Sequence, residues 1–189
     1  MFSPEEAAAC PAGAITYTGD YRMAATARGA LLTPDGHVEL ARRLDDGMRR
    51  LFGRSLRLRS VVAGSCNGCE AELVALGNVV FDLGRFGVQF VASPRHADGI
   101  VATGAVNTNM RLALQKTYEA VPEPKIVIAV GACAISGGPF RGSPEVADGV
   151  GNLLPVDLWV PGCPPHPFTL LDGLLRLLGA IESGKRNDP

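Results

Sequence analysis

Three short aliphatic runs in this sequence each end in glycine followed by cysteine, and that repetition limits the possible folds more than any other feature. Residues 56–63 lead into Gly64-Ser65-Cys66-Asn67-Gly68-Cys69-Glu70. Residues 125–130 lead into Gly131-Ala132-Cys133-Ala134, and residues 157–160 into Pro161-Gly162-Cys163-Pro164-Pro165-His166-Pro167. Short apolar runs bounded by turn residues read as buried strands, and 87–92 and 99–103 read the same way. Segments of helical period stand between them. They are 70–86 through Leu73, Leu76, Val80 and Leu83; 108–120, opening near Asn107 and closing before Pro122; and 167–181 through Leu170, Leu171, Leu174, Leu175, Leu177 and Leu178. Apolar strands alternating with helices predict an α/β domain with a mostly parallel sheet covered on both faces. Ligands of such sheets gather at the carboxyl ends of the strands, where Cys66, Cys69, Cys133 and Cys163 fall.

Charge and composition exclude several classes of function. A net charge of −1 and 6% aromatic residues offer no basic surface for nucleic acid or anionic lipid. No run reaches the roughly 18 apolar residues needed to span a bilayer, and Met1-Phe2-Ser3-Pro4-Glu5-Glu6 lacks the basic start and apolar core of a secretion signal. A cytoplasmic, reducing setting is therefore expected, in which grouped cysteines more often bind metal than pair as disulfides. Five cysteines are an odd number, and Cys10 is the outsider.

The chain divides into an N-terminal extension over 1–55, an α/β domain over 56–183 and a tail over 184–189. The extension opens with Ala9-Cys10-Pro11-Ala12-Gly13-Ala14-Ile15, similar to the tail of a bacterial ferredoxin, whose last cluster cysteine precedes proline. The other three cysteines of that motif are missing. The stretch is a relic, a fusion scar or a truncated start, or, more simply, carries a plain surface thiol. Residues 38–52 have apolar positions at helical spacing (Val38, Leu40, Ala41, Leu44, Met48, Leu51, Phe52). Arg42, Arg43, Arg49 and Arg50 lie opposite, which predicts an amphipathic helix with a solvated basic face.

Four thiols at strand ends suit one 4Fe–4S cluster, which takes four cysteine ligands. Glycines beside each cysteine let backbone N–H groups approach the sulfurs. The competing reading is a zinc-stapled, non-redox interaction module. Ribbon and knuckle zinc sites bring two close cysteine pairs, whereas here one pair joins two distant singles, each in its own strand-end loop. A cysteine-nucleophile enzyme would need an adjacent base, and only His37, His96 and His166 are present. There is no Walker-type phosphate loop and no dinucleotide fingerprint.

The motifs at 64–72, 131–134 and 161–164 together resemble the small iron–sulfur subunit shared by respiratory complex I (its 20 kDa subunit) and energy-converting nickel–iron hydrogenases. The resemblance spans about 56–181. It implies a flavodoxin-like, three-layer fold and one 4Fe–4S cluster on Cys66, Cys69, Cys133 and Cys163. In complex I the first two cysteines are adjacent. Here Asn67 and Gly68 separate them, as in membrane-bound hydrogenases of the formate hydrogenlyase type, so hydrogenase is the first reading and a complex I-like NADH:quinone oxidoreductase the alternative. The implied role is electron transfer, with no turnover by this chain alone. The implied partners are a large catalytic subunit, a ferredoxin-like iron–sulfur subunit and membrane subunits, which would place the chain on the cytoplasmic face of the inner membrane.

Glu70, Glu72 and His166 are candidates for coupling protons to electron transfer, because a carboxylate beside a reducible centre feels its charge. Glu72 stands at the offset of the glutamate that follows the paired cysteines in complex I. The simpler accounts are a helix N-terminal acid for Glu70, and a surface-loop histidine for His166. Asn107, near Thr103-Gly104, would line the same face or simply cap a helix, and capping is the simpler account.

Overall fold

A computed structural model of the chain describes residues 4–32, 39–44, 46–52 and 55–180. Five strands form an all-parallel sheet: β1 (Leu56–Val62), β2 (Val88–Phe90), β3 (Gly99–Thr103), β4 (Ile126–Val130) and β5 (Leu158–Val160). Their spatial order is β2-β1-β3-β4-β5, which is the flavodoxin-like, doubly wound order. The helices are α1 (Pro4–Ala9), α2 (Asp46–Phe52), α3 (Gly68–Ala75), α4 (Thr108–Ala120), α5 (Gly131–Ser136) and α6 (Pro167–Leu177).

The apolar runs are buried on both faces because side chains alternate across the sheet. In β4, Ile126, Ile128 and Val130 enter a core with Leu73 and Leu76 from α3 and its end and Leu170, Leu174 and Leu177 from α6. Val127 and Ala129 enter the opposite core with Leu114 of α4 and Ala134 and Ile135 of α5. β1, β3 and β5 divide in the same way, so the helices are held as two layers around the sheet.

Helix lengths differ from the sequence reading where side chains compete with the backbone. The 70–86 pattern yields a helix only to Ala75. Asn78 Oδ1 accepts the N–H groups of Val80 and Phe81 at 2.9 and 3.1 Å, which ties the chain into a turn instead and leaves Val79 96% exposed. A 3-10 turn follows at Leu83–Phe86. The 108–120 helix forms as expected. Asn107 Oδ1 caps it through the Met110 N–H at 2.9 Å, and Lys125 Nζ closes the other end on the carbonyls of Tyr118 and Val121. α6 stops at Leu177, two residues before Gly179 at φ +71°. Ile181 and the expected tail lie outside the described residues.

The expected helix over 38–52 is corrected to a short one. Val38 lies outside the described residues, the helix begins at Asp46, and the described residues 39–44 are not helical. Leu40 and Ala41 are buried there, and the Ala41 N–H donates to the Ala24 carbonyl at 2.7 Å. Tertiary packing thus claims apolar positions whose spacing suggested a helix face. Ala25 in turn exchanges both backbone hydrogen bonds with Trp159 of β5, at 3.0 and 2.8 Å, and the Leu44 N–H reaches the Leu177 carbonyl at 2.9 Å. The segment therefore straps the outer edge of β5 and the end of α6.

Gly173 of α6 allows that strap to lie close, since a Cβ built there would stand 2.6 Å from the Ala24 Cβ. Gly173→Ala should lower stability by about 1–3 kcal/mol, the usual range for overpacking. The urea midpoint should fall, and amide exchange at Ala25 and Trp159 should rise before that of β1 and β3.

Candidate functional site

The loops leaving β1, β4 and β5 meet at one edge of the sheet. Cys66 and Cys69 follow β1, Cys133 follows β4 and Cys163 follows β5. All four line one small pocket, along with Gly104 from the loop after β3, Ala132, Gly162 and Pro164. All are free thiols, with Cys66 and Cys163 exposed and Cys69 and Cys133 half-buried. Cys133 is not in a loop as expected; it lies in the first turn of α5, which starts directly at the end of β4. Cys69 likewise lies in the first turn of α3.

Local backbone geometry explains the motif residues between and beside the cysteines. Asn67 adopts a left-handed conformation, φ 70°, just before α3, which asparagine tolerates better than other side chains. A Cβ at Gly131 (φ +89°) would stand 2.5 Å from Cys69 Sγ, and one at Gly138 would stand 2.8 Å from Cys133 Sγ. The glycines thus bring main chain against sulfur. The Ala132 N–H donates to the Gly162 carbonyl at 2.8 Å, joining the Cys133 and Cys163 segments.

Burial, with neighbouring charge behind it, raises the pKa of two of the thiols. Burial, then the Glu70 charge, then Cys133, Cys66 and Cys163 push the Cys69 thiol up to about 12. Burial, followed by Cys163 and Cys66, also raises Cys133. Thiolates crowded in this way are stabilised by cations, which displace the protons when they bind. Among the described residues, no group of three or more His, Cys, Asp or Glu side chains converges as a site for a single metal ion.

The candidate acids and the histidine separate clearly. Glu70, half-buried in the first turn of α3, accepts the Ser65 hydroxyl at 2.7 Å through Oε2 and the Thr103 hydroxyl through Oε1. The Glu72 side chain makes no hydrogen bond or ion pair among the described residues and does not line the cysteine pocket. His166 caps α6, its Nδ1 accepting the Phe168 N–H at 3.1 Å, and its ring packs with Phe81 and Phe168. It too lies outside the pocket lining. Cys10 is also apart from the pocket, and backbone N–H groups, led by those of Ala14 and Ala12, draw its thiol below the ordinary value.

A larger cleft of about 620 Å³ lies beside α3 and the end of β2, bordered by Ser60, Leu73, Val74, Asp82 and Phe90, with Glu70 on its wall. Ser65, Thr103 and Gly104 are site residues that the sequence reading named only as neighbours of other positions, without a role of their own. Thr103 carried a legible signal as a hydroxyl closing an otherwise apolar strand, Gly99–Thr103.

Comparison with known proteins gives the same family by two routes. Residues 66–177 match the family described as NADH ubiquinone oxidoreductase, 20 kDa subunit. The chain is 48% identical over 116 residues to an NADH-quinone oxidoreductase subunit of Heliobacterium modesticaldum, covering 61% of this chain and 66% of that one. It is 43% identical over 129 residues to a probable membrane-bound hydrogenase subunit of Pyrococcus furiosus, covering 68% and 77%. It is 44% identical over 129 residues to formate hydrogenlyase subunit 7 of Escherichia coli, covering 68% and 51%. The chain thus spans from about half to three quarters of the length of these relatives. Among solved structures, a chain of the membrane-bound sulfane sulfur reductase, an archaeal respiratory membrane complex, superposes with a TM-score of 0.61 at 33% identity, over 75% of this chain and 78% of that one. A chain of an NAD+-reducing [NiFe]-hydrogenase shares the fold, with a TM-score of 0.54 at 22% identity over 69% and 95%.

The thiol electrostatics give a direct test on metal-free, reduced chain. At neutral pH an alkylating reagent should modify Cys10 well before Cys69. A thiol moved from 9.0 to about 12 carries roughly two to three orders of magnitude less thiolate. Peptide mass spectrometry gives the order of labelling, and equal rates at the two positions would contradict the burial described.

Proposed function

This chain belongs to the NADH ubiquinone oxidoreductase 20 kDa subunit family, and from that premise we propose that it is the electron-transfer subunit of a multisubunit, membrane-associated oxidoreductase. The observation that carries the reading is the delivery of four cysteines, from the ends of three parallel strands, to one pocket. Cys66, Cys69, Cys133 and Cys163 would hold one 4Fe–4S cluster, which when bound supplies one-electron exchange.

The residues fit that group better than a single zinc ion. Ribbon and knuckle zinc sites bring two close cysteine pairs together, whereas here one pair from the β1 exit is joined by single cysteines following β4 and β5. A cube takes one thiolate at each iron, so its ligands stand apart around a larger body. Gly131 and Gly138 leave the room beside Cys69 and Cys133 that a side chain would fill. Glu70 keeps a carboxylate beside Cys69, and added negative charge near a redox centre lowers its electron affinity.

The catalytic chemistry belongs to a large partner subunit. A nickel–iron hydrogenase is favoured by the separation of Cys66 and Cys69 by Asn67 and Gly68. A quinone-reducing, complex I-like assembly is the second reading, favoured by the 48% identity to an NADH-quinone oxidoreductase subunit. A ferredoxin-like subunit would exchange electrons with this chain. Among the described residues no helix is long and apolar enough to cross a membrane, so attachment to the cytoplasmic face of the inner membrane would run through other subunits.

The test is chemical analysis of the complex isolated without exposure to air. About four irons and four sulfides at this subunit, with an EPR signal on reduction, are expected for a four-cysteine cubane. Zinc without iron or sulfide at the subunit would overturn the reading. Nickel in the co-purifying large subunit separates hydrogenase from the quinone-reducing alternative. Gly131→Ala, which drives a methyl against Cys69 Sγ, should reduce iron and sulfide content together while leaving Cys10 reactivity unchanged.

A further inference from the structure

We propose that Glu70 is a positioning residue whose carboxylate, held between the Ser65 and Thr103 hydroxyls, fixes the Cys66–Cys69 loop to the end of β3. The proposal rests on the cluster-carrying function above and assigns three residues outside the ligand set to it.

The hydrogen bonds run in one continuous line. The Asn67 N–H, between the two cysteines, donates to Ser65 Oγ at 3.2 Å, and the Ser65 hydroxyl donates to Glu70 Oε2 at 2.7 Å. The other carboxylate oxygen, Oε1, accepts from Thr103 Oγ1. Thr103 has no exposed surface, and its only other nearby acceptor among the described residues, the Val61 carbonyl, is 3.4 Å away. A hydroxyl has one proton to give, and the charged, closer oxygen is the stronger acceptor. The loop between the first two cysteines is therefore tied to a wholly buried strand residue through one carboxylate.

The backbone beneath this line is arranged to receive it. The Ala63 N–H donates to the Thr103 carbonyl at 2.8 Å, and the Ala105 N–H reaches the Gly64 carbonyl at 3.3 Å. The exits of β1 and β3 thus run in contact. Cys66 itself is exposed, so its place depends on the loop that carries it rather than on packing around its own side chain. A carboxylate present only to balance the dipole of α3 would need neither hydroxyl. Two converging donors, one of them buried, are what a geometric role requires.

The experiment compares variants in the complex isolated anaerobically, measuring the rate of iron loss to a chelator and the EPR line shape and midpoint potential of the reduced centre. Thr103→Val removes one donor, keeps the side-chain shape and changes no charge. Thr103→Ser keeps the hydroxyl. Glu70→Gln retains the size of the side chain but presents an amide donor to one of the two hydroxyls. Thr103→Val should lose iron at least threefold faster, with a broadened or shifted EPR signal, and Thr103→Ser should match the unaltered protein. Glu70→Gln should show the same acceleration and, having lost a negative charge, a midpoint raised by about 28 mV or more. That figure corresponds to a threefold change in electron affinity at 59 mV per tenfold for one electron. Iron loss and EPR spectra unchanged in both Thr103→Val and Glu70→Gln would overturn the proposal, as would Thr103→Ser behaving like Thr103→Val. Should Thr103→Val fail to assemble, Glu70→Gln, altered in a half-exposed helical turn, decides alone. Absence of iron and sulfide from the unaltered subunit is a separate result that removes the functional reading itself.

Discussion

The cysteine site depends on a backbone contact between two loops that belong to different strands. A Cβ on Gly104 would lie 2.6 Å from the carbonyl carbon of Gly64 and 2.8 Å from the nitrogen of Ser65. At φ +87° the position also favours glycine on conformational grounds. Because the β3 exit passes so close, the β1 exit is pressed into the turn that presents Cys66 and Cys69. The parallel register of β1 on β3, with Val62 opposite Thr103, brings the two loops level. The other thiols then follow from β4 and β5, whose carboxyl ends share the same edge of the sheet.

Much of this was legible in the sequence because the sheet is buried on both sides. Apolar runs such as Ile126–Val130 admit few readings other than a covered parallel strand. The position of each cysteine just beyond such a run placed it at the ligand-bearing edge. Asn107 was also legible as a cap, since the local rule for side-chain acceptors does not depend on distant partners. The length of α3 was not, because Asn78 could be read as a helical residue until its side chain was seen bonding Val80 and Phe81. The non-helical segment around Leu40 and Ala41 was hidden for a different reason. Its apolar spacing suits a helix, and only distant partners, the Ala24 carbonyl for the Ala41 N–H and the Leu177 carbonyl for the Leu44 N–H, make a non-helical path preferable.

The acidic residues beside the cysteines illustrate how nearby positions diverge in role. Glu70 and Glu72 are two apart, so they cannot share a helix face. One turns to the two hydroxyls and the sheet, and the other makes no side-chain bond among the described residues. Their proximity to Cys69 in sequence was common to both, and only the third dimension separates them. His166 differs again: its ring supplies the first hydrogen bond of α6, and its neighbours are aromatic rather than sulfur.

The strap over β5 bears on how the sheet meets other chains. An open parallel sheet has two rows of unpaired main-chain groups, and either can template unwanted pairing with another polypeptide. Here the β5 side is occupied at Ala25 and Trp159, and the opposite margin, β2, is only three residues long. So short a margin gives a foreign strand little to grip. Contacts that extend the sheet are thereby discouraged on both sides, and self-association through its margins is not rewarded.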